Sequence, residues 1–459
     1  MISDQNSIRL SEVVSALSLA LDLTEGQPMG HAIRSCIIGM RIAEELQLPA
    51  QDCSDLYYAL LLKDSGCSLN AARMHCILGS DEIQAKREVK FVDWTKISLS
   101  SLAWTFRNTL PDAPLAQRLK RMLQLGAERK QNNTQLISAR CERGADIARM
   151  IGFSETVAQA IRGLDEHWDG EGYPDGAQGQ ETPLLARIVN ISQTLEVFAA
   201  EAGPDAAVKI AMDRSGTWFD PELVKVVKAL RKDHLLWART GAEDPRPYVL
   251  RMEPGAALPA TPERIDSLCR AFAHVIDAKS PFTFNHSVGV AAAAVKIAQG
   301  MALAEPTIQL VRRAALLHDI GKLSISNAIL EKPGKLNEEE WRIMRLHPVY
   351  TRVVLKAISG FENLAFVAAA HHERLDGTGY PDRMRGDQLP LTTRIIAVAD
   401  VCQALAERRP YREALSHEVV MNIMDQEAGT KLDGSCLDVL RADNRAAAET
   451  EQKCMAVGV

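Results

Sequence analysis

Residues 315–322 read ALLHDIGK, and residues 60–67 read LLLKDSGC. In the stretch that leads to the first of these, Ile308, Val311 and Ala315 recur at the spacing of one helix face. Alternating strand patterns are scarce along the chain, and Ala and Leu dominate over Val and Ile. These patterns predict an all-α protein.

A second pair of stretches indicates a diverged internal repeat. GEGYP ends at Pro174 and GTGYP ends at Pro381, 207 residues later, whereas 60–67 and 315–322 lie 255 residues apart. The difference of 48 residues between the two offsets is an insertion in the first copy, between Cys67 and Arg140. Because this period is far too long for a solenoid, we predict two copies of one helical domain in tandem.

The repeat also sets the predicted domain boundaries. Residues 1–202 form the first domain, and residues 263–440 form the second. Residues 203–262 between them are predicted to be a connecting segment that ends in a Pro-rich linker. The tail, residues 441–459, is Ala-rich and polar, and we expect it to be loosely ordered.

Composition excludes several classes of protein. A net charge of −6 gives no basic bias towards a nucleic-acid polymer. Nine cysteines without a CxxC pair argue against a disulfide framework and a thiolate zinc site, and favour reduced thiols. The N-terminus has no signal pattern, and no uninterrupted apolar run approaches 18 residues. We therefore expect a cytoplasmic protein without a membrane partner.

Seven ionisable residues end or interrupt apolar helical runs in the second copy. Such a group is costly to bury unless it is paired or metal-bound. For any one of them a satisfied polar residue at a helix end is the better interpretation, but the set holds five of the eleven histidines of the chain. The candidate metal ligands are His286, His318, Asp319, His347, His371, His372 and Asp400.

Nitrogen and oxygen ligands without cysteine suit divalent iron or manganese, and zinc is left open. Seven ligands are too many for one ion and suit two, with Asp319 able to bridge them. His371 and His372 point about 100° apart on a helix, so each can serve a different ion. Two ions hold a bridging hydroxide and clamp the oxygens of a phosphodiester. Lys322 either neutralises a phosphate oxygen or caps its helix, which Gly321 would permit.

The second copy resembles the HD-GYP phosphodiesterases over residues 265–440. The motifs that carry the resemblance are HDIGK at 318–322, KPGKL at 332–336, HPVYT at 347–351, HHERLDGTGYP at 371–381, AVADV at 397–401 and RPYR at 409–412. The resemblance implies an HD-domain helical bundle with a buried site of two or three metals, in which the seven candidates are ligands and Lys322 contacts phosphate. It implies that Gly379, Tyr380 and Pro381 form a loop near the substrate. Arg409 and Arg412 either contact phosphate or guanine or form surface salt bridges.

This copy departs from the family pattern at three positions. Trinuclear members carry a Glu four residues before the first histidine, where this chain has Phe282, so we expect two metal ions. Gln403 and Ala406 replace a usual Asp and Thr. Neither position is a ligand in the motif, so these departures bear on substrate preference and not on catalysis.

The first copy keeps only His31 and Asp64 of the ligand set. The counterparts of the remaining ligands and of Lys322 are Lys63, Arg140, Leu164, Asp165, Gln193 and Cys67. We therefore predict a catalytically dead domain. Its GYP loop is kept either for structural reasons or because this half binds a nucleotide without cutting it, with Lys63 and Arg140 contacting phosphate.

The resemblance implies a metal-dependent phosphodiesterase that opens cyclic di-GMP to linear pGpG, with GMP as a further product. An alternative is another cyclic dinucleotide, such as cyclic GMP-AMP. An alternative of another class is a signalling scaffold or nucleotide-binding module with little activity. A homodimer or a signalling protein partner is left open.

Overall fold

A computed structural model describes residues 8–410 and 412–442. These residues form helices, short 3-10 turns and isolated bridges without a β-strand, so the all-α prediction is confirmed. No helix in this part of the chain is long and apolar enough to cross a bilayer, and its eight cysteines are free thiols. Most of the predicted tail, residues 443–459, lies outside the described residues.

The chain divides into two compact units. The first comprises the described residues up to Ala271 together with Ser326–Ala328, and the second comprises the rest. The segment predicted as a connection, 203–262, is not an unstructured linker, because four helices form between residues 204 and 251 and belong to the first unit.

Fourteen α-helices and one 3-10 turn at Gly179–Glu181 form the described part of the first unit. The helices are α1 Leu10–Thr24, α2 His31–Glu45, α3 Ala50–Leu62, α4 Ala71–Leu78, α5 Glu82–Val89, α6 Leu99–Asn108, α7 Leu115–Ala127, α8 Arg129–Ile151, α9 Glu155–Arg162, α10 Leu184–Ala202, α11 Pro204–Asp213, α12 Pro221–Leu230, α13 His234–Thr240 and α14 Arg246–Arg251.

The second unit continues with nine helices among the described residues, of which α15 and α18 straddle the division between the units. Two 3-10 turns lie at Ile320–Ser324 and Gly386–Gln388. The helices are α15 Pro262–Asp277, α16 His286–Gly300, α17 Glu305–Leu317, α18 Asn327–Leu330, α19 Glu338–Met344, α20 His347–Lys356, α21 Glu362–Ala369, α22 Leu391–Ala406 and α23 His417–Glu427.

The two units repeat one packing arrangement, as the sequence repeat predicts. In the first unit α2 packs against α3 and α10, and α9 packs against α3. In the second unit α16 packs against α17 and α22 in the same way, and α21 packs against α17. Each unit is therefore a bundle of helices with the same packing, and the two bundles follow one another along the chain.

The HD motif is positioned by a close approach of two backbone segments. Buried Ile308, Val311 and Ala315 hold α17 in the core, and the chain then turns into the 3-10 segment that begins at Ile320. A Cβ on Gly321 would lie 1.9 Å from the carbonyl oxygen of His347, so only glycine lets this segment lie against α20. Gly321 therefore serves the approach of the two segments and does not mark a helix cap.

Candidate active site

The structure brings all seven predicted ligands of the second unit together in two adjacent groups. Within each group the ligand atoms lie within 4.8 Å of one another. One group consists of Asp319, His347, His371 and His372, and the other consists of His286, His318 and Asp400. All except His372 are buried. A buried cluster of imidazoles and carboxylates is the chemistry of a transition-metal site.

Asp319 lies between the two groups and presents one carboxylate oxygen to each. Its Oδ2 is 3.2 Å from His318 Nε2 and 3.8 Å from His286 Nε2. Its Oδ1 is 3.4 Å from His347 Nε2 and 3.6 Å from His371 Nε2. This is the arrangement that a bridging carboxylate needs.

Asp400 makes a second connection between the groups, from α22. Its Oδ1 is 3.2 Å from His286 Nε2, and its Oδ2 is 3.7 Å from His372 Nδ1. Burial opposes ionisation of Asp400, but the neighbouring His286, His318 and His372 outweigh burial and hold its pKa well below the usual range. Burial likewise opposes ionisation of Asp319, but His318 and Lys322 beside its carboxylate outweigh burial and keep its pKa well below the usual range.

Backbone carbonyls orient three of the histidines, because each ring donates its Nδ1–H to the carbonyl three residues earlier. The acceptors are Ala315 for His318 at 2.7 Å, Met344 for His347 at 2.7 Å and Ala368 for His371 at 2.6 Å. In a neutral ring whose Nδ1 carries the donated proton, Nε2 is the free acceptor nitrogen, and here it faces the cluster. This is how proteins fix the tautomer of a metal-binding histidine.

The residues present fit a bound divalent metal. His286 Nε2, His318 Nε2 and Asp319 Oδ1 are buried and have no hydrogen-bond partner among the described residues. Unsatisfied buried polar atoms are costly, so a ligand that they share is the natural explanation. Bonds of ~2.0–2.2 Å place neighbouring ligand atoms around one ion ~3 Å apart, which the separations of 3.2–3.4 Å at Asp319 approach.

Burial keeps most of the imidazoles neutral, which is the form that binds metal. It lowers the pKa of His347 to about 3 and that of His371 to about 4. It also lowers the pKa of His372 well below the usual range. At His286 burial is outweighed by Asp400 and Glu407, which raise its pKa to about 9.

Lys322 points into the site. Its Nζ donates to Asp319 Oδ2 at 2.5 Å, and 19% of the side chain is exposed. The ammonium is thus held beside the central carboxylate while part of the side chain faces solvent. The structure favours the interpretation in which Lys322 meets an anionic ligand over the one in which it caps a helix.

The GYP loop is fixed by the same backbone contacts in both units. Glu373 accepts hydrogen bonds from the backbone N–H groups of Asp382 at 2.6 Å and Met384 at 2.9 Å. In the first unit Glu166 accepts hydrogen bonds from the backbone N–H groups of Asp175 at 2.7 Å and Ala177 at 3.0 Å. Each of these three residues lies 207 positions before its counterpart in the second unit. The retained loop in the first unit therefore has a structural explanation.

Within the loop of the second unit, Tyr380 borders the candidate ligands. Its ring centre is 4.8 Å from that of His372, and the Arg345 guanidinium lies 5.7 Å from the Tyr380 ring centre. A Cβ on Gly379 would lie 2.5 Å from the Cα of Glu373, so this glycine is required by packing. Pro381 follows at an intermediate exposure.

The two candidate arginines differ in position. Arg409 donates to Glu407 Oε2 at 3.1 Å and lies 3.5 Å from His286 Nδ1, at the edge of the cluster. Arg412 donates to the carbonyls of Ala404 and Leu405, both at 2.9 Å, at the end of α22. Arg412 therefore caps the end of α22, and a role in substrate binding stays a prediction.

Glu407 belongs to the site and was not predicted from the sequence. It accepts from His286 Nδ1–H at 2.9 Å and from Gln403 Nε2 at 2.8 Å. In the first unit the corresponding acceptor for His31 is Glu196, which occupies the position equivalent to Gln403. The carboxylate that binds this histidine thus lies one helical turn later in the second unit. In the sequence, only Gln403 in place of an acidic residue indicated the difference.

We expect Glu407→Gln to weaken metal binding about tenfold or more, because a carboxylate behind a ligating histidine raises its basicity and fixes its orientation. A chelator competition assay measures this change. The matched control is Glu196→Gln, which removes the equivalent carboxylate from the first unit and should leave metal affinity unchanged. Equal affinity of Glu407→Gln and the unchanged protein would show that Glu407 is not coupled to the metal.

In the first unit a buried ammonium lies at the position of one of the candidate ligands of the second unit. Lys63 Nζ donates to His31 Nε2 at 2.8 Å and to Asp64. Burial and the Lys63 charge lower the pKa of His31 to about 4, so its Nε2 is an acceptor. Arg140 and Asp165, the counterparts of His347 and His372, form an ion pair with Nε to Oδ2 at 2.8 Å.

A third cluster of potential metal-binding side chains lies in the first unit, but its surroundings do not suit a metal ion. Glu25, Asp64 and Cys67 offer atoms within 4.8 Å of one another. Glu25 already pairs with Lys90 at 3.1 Å and with Lys86 at 3.3 Å. Burial raises the pKa of the Cys67 thiol well above its usual range, so it stays protonated. A metal ion would have to displace these cations and the thiol proton.

Comparisons with known proteins identify a family and several similar chains. The family model described as HD domain matches residues 115–223 and 270–436. The chain is 43% identical over 439 residues to 3′3′-cGAMP-specific phosphodiesterase 3 of Vibrio cholerae, and the alignment covers 95% of each protein. It is 37% identical over 199 residues to a cyclic di-GMP phosphodiesterase response regulator of Xanthomonas campestris. That alignment covers 42% of this chain and 50% of the relative.

A solved structure resembles the whole chain. The crystal structure of a cyclic GMP-AMP specific phosphodiesterase of Vibrio cholerae superposes with a TM-score of 0.65 at 39% identity. It covers 95% of this chain and 98% of that chain. The likeness therefore extends over both units and not over the second one alone.

Proposed function

Because the chain belongs to the HD domain family, as an HD-GYP phosphodiesterase of cyclic dinucleotides, we propose that it hydrolyses 3′3′-cGAMP in its second unit. The observation that carries the choice of substrate is the 43% identity to a 3′3′-cGAMP-specific phosphodiesterase over 95% of the chain. The cyclic di-GMP relative matches only 42% of the chain. The comparisons thus support the alternative substrate better than cyclic di-GMP, which was the first expectation.

HD phosphodiesterases bind divalent metal, and we propose two ions in the second unit. His286, His318 and Asp400 would hold one, His347, His371 and His372 would hold the other, and Asp319 would contact both. The bound metal supplies Lewis acidity that activates water and polarises the phosphodiester. Iron or manganese suits this nitrogen and oxygen donor set. Phe282 in place of a carboxylate supports two ions and not three.

The side chains around this cluster position the phosphodiester. Lys322 is held 2.5 Å from Asp319, so its ammonium meets the scissile phosphate next to the cluster and offsets the charge that develops on phosphorus-bound oxygen. Hydrolysis adds one water to phosphorus and breaks one ester bond of the ring, so that the product is a linear dinucleotide. Tyr380 forms the neighbouring wall, and Arg409 at the edge of the cluster offers a further phosphate contact.

We propose that the first unit does not catalyse this reaction. The Lys63 ammonium and the Arg140–Asp165 ion pair occupy the positions that hold metal ligands in the second unit. A cation buried beside His31 and Asp64 repels a divalent metal from the two remaining ligands. The chain thus has one centre for hydrolysis.

Substrate choice is tested by comparing kcat/KM for 3′3′-cGAMP and cyclic di-GMP with the same metal-loaded protein, with chromatography of the products. We expect at least about tenfold preference for 3′3′-cGAMP, a difference of about 1.4 kcal/mol that one lost contact to a base produces. A preference for cyclic di-GMP would overturn the choice of substrate. Turnover of neither would favour the scaffold alternative.

A further inference from the structure

The first unit contains a cavity of about 350 Å³ that hydrolysis does not use. Its volume lies within the range of small-molecule sites. One wall is built by the segment between Cys67 and Arg140, which is 48 residues longer than its counterpart in the second unit. Trp94, Leu102, Met122 and Gly126 come from this longer segment, which therefore forms part of a partly open cavity.

The floor of the cavity corresponds to the metal centre of the second unit. Arg140, Asp165 and Gln193 line it, and they are the counterparts of His347, His372 and Asp400. Lys63, in contrast, is fully buried beside His31 and does not line the cavity. The first unit has lost the ligands of the metal centre but has kept a covered cleft at that position.

Positive charge dominates the lining. Four cationic side chains, Lys86, Lys90, Arg129 and Arg140, face two carboxylates, Glu25 and Asp165. Glu25 is shared among three of these cations: Lys90 lies at 3.1 Å, Lys86 at 3.3 Å and Arg140 at 3.9 Å. Asp165 already pairs with Arg140, and Glu25 alone cannot neutralise Lys86, Lys90 and Arg129, so the cavity carries a surplus of positive charge that favours an anion.

Aromatic rings line the same space and leave polar atoms without partners. Trp94 lies 5.2 Å from His167 and 5.6 Å from Trp218 between ring centres, and His167 stacks on Trp218 at 4.1 Å. His167 Nδ1 and Trp218 Nε1 are buried and have no hydrogen-bond partner in the part of the chain that the structure describes. The two residues are 2% and 8% exposed. A ligand with its own polar ring atoms would satisfy both.

We propose that this cavity binds a nucleotide: a planar heteroaromatic base that contacts the Trp94, His167 and Trp218 rings, with its phosphate towards the surplus cations. His167 and the Arg214 guanidinium, which lie 4.1 Å and 3.9 Å from the Trp218 ring centre, already contact that ring, so the base stacks on Trp94. Stacking accepts any base because every base has a π face, while Trp218 Nε1–H and His167 select for polar atoms on the ring edge. Lys and Arg supply the phosphate contacts. This binding site is separate from the metal centre of the second unit and does not depend on the substrate proposed there.

Gly126 offers a variant that fills the cavity with little disturbance. It lies in α7 and lines the cavity, and a Cβ built on it meets nothing within 4 Å. Gly126→Leu therefore adds a large side chain at the cavity wall without a backbone clash. Gly434→Leu in the second unit is the matched control, since a Cβ there also meets nothing within 4 Å.

The experiment titrates the full, metal-loaded chain with GMP and AMP, and with guanosine, adenosine and inorganic phosphate as partial ligands. Tryptophan fluorescence locates binding, because the second unit contains only Trp341 and the other five tryptophans lie in the first unit. We expect GMP or AMP to quench the fluorescence, with each nucleoside and phosphate at least about tenfold weaker. Calorimetry should show that Gly126→Leu weakens nucleotide binding tenfold or more, while Gly434→Leu binds as the unchanged protein does.

Melting temperatures check that both variants are folded. If Gly126→Leu does not fold, Trp218→Phe keeps the ring and removes the unpaired N–H, and calorimetry should then show weaker nucleotide binding. The proposal is overturned if neither mononucleotide quenches the fluorescence, or if a folded Gly126→Leu binds nucleotide as tightly as the unchanged protein. Hydrolysis of 3′3′-cGAMP is measured separately, so a failure of the proposed substrate is distinguishable from a failure of this site.

Discussion

Asp319→Asn is expected to abolish cyclic dinucleotide hydrolysis, with a loss of at least about 10³-fold in kcat. Asp319 offers one oxygen to His286 and His318 and the other to His347 and His371. An amide keeps the shape but loses the negative charge and one oxygen ligand. Two closely spaced cations would then repel each other with less compensation, so metal content should fall together with activity.

Asp64→Asn is the matched control, since Asp64 is the counterpart of Asp319 in the first unit. It pairs with the buried Lys63 ammonium, so the variant should lower the free energy of unfolding by about 1–3 kcal/mol. Its kcat should remain within a few fold of the unchanged protein. The two variants are assayed together for metal content, melting temperature and hydrolysis. If Asp64→Asn lost metal or activity as fully as Asp319→Asn, the first unit would not be a dead copy.

Lys322→Ala is expected to lower kcat by about 10²–10³-fold while metal content stays intact. The Lys322 ammonium is partly exposed and lies beside Asp319, so its removal takes a positive charge from the place where phosphate charge develops. Since Lys322 offers no ligand atom to either metal group, the metals should remain bound. Rate and metal content are measured on the same preparation.

Two further variants separate the role of Lys322 from a general effect of charge. Lys322→Arg keeps a cation and should recover part of the lost rate. Lys356→Ala removes an exposed lysine at the end of α20 and should leave kcat unchanged. An unchanged kcat in Lys322→Ala would contradict the role proposed for its ammonium.

The ligand cluster was predictable because polar groups that end apolar helices are visible in a single sequence. His318 and Asp319 follow the buried face of α17, and the repeat offsets placed the other candidates in one domain. Glu407 could not be found in this way. It lies where α22 ends, among ordinary charged residues, and only the packing of α16 on α22 brings it to His286.

The cavity of the first unit was also beyond sequence reasoning. The offsets identified Lys63 and Arg140 as the counterparts of His318 and His347. They could not predict that Lys63 binds His31 in the core while Arg140 lines a cavity. The insertion that lines this cavity has no counterpart in the second copy, so no comparison within the chain could predict how its helices fold back. Likewise the sequence did not distinguish Arg412 from Arg409 in the same motif. In the structure Arg412 donates hydrogen bonds to backbone carbonyls at the end of α22.

The most direct test of one dinuclear centre is the rate of 3′3′-cGAMP hydrolysis as metal is added back to metal-free protein, with bound ions counted by elemental analysis. We expect the rate to rise to a plateau at about two ions per chain, and Asp64→Asn to give the same curve. A plateau at one ion, or a third ion needed for full activity, would contradict the two-metal assignment. A chain that binds two ions and still leaves 3′3′-cGAMP intact would contradict the proposed function.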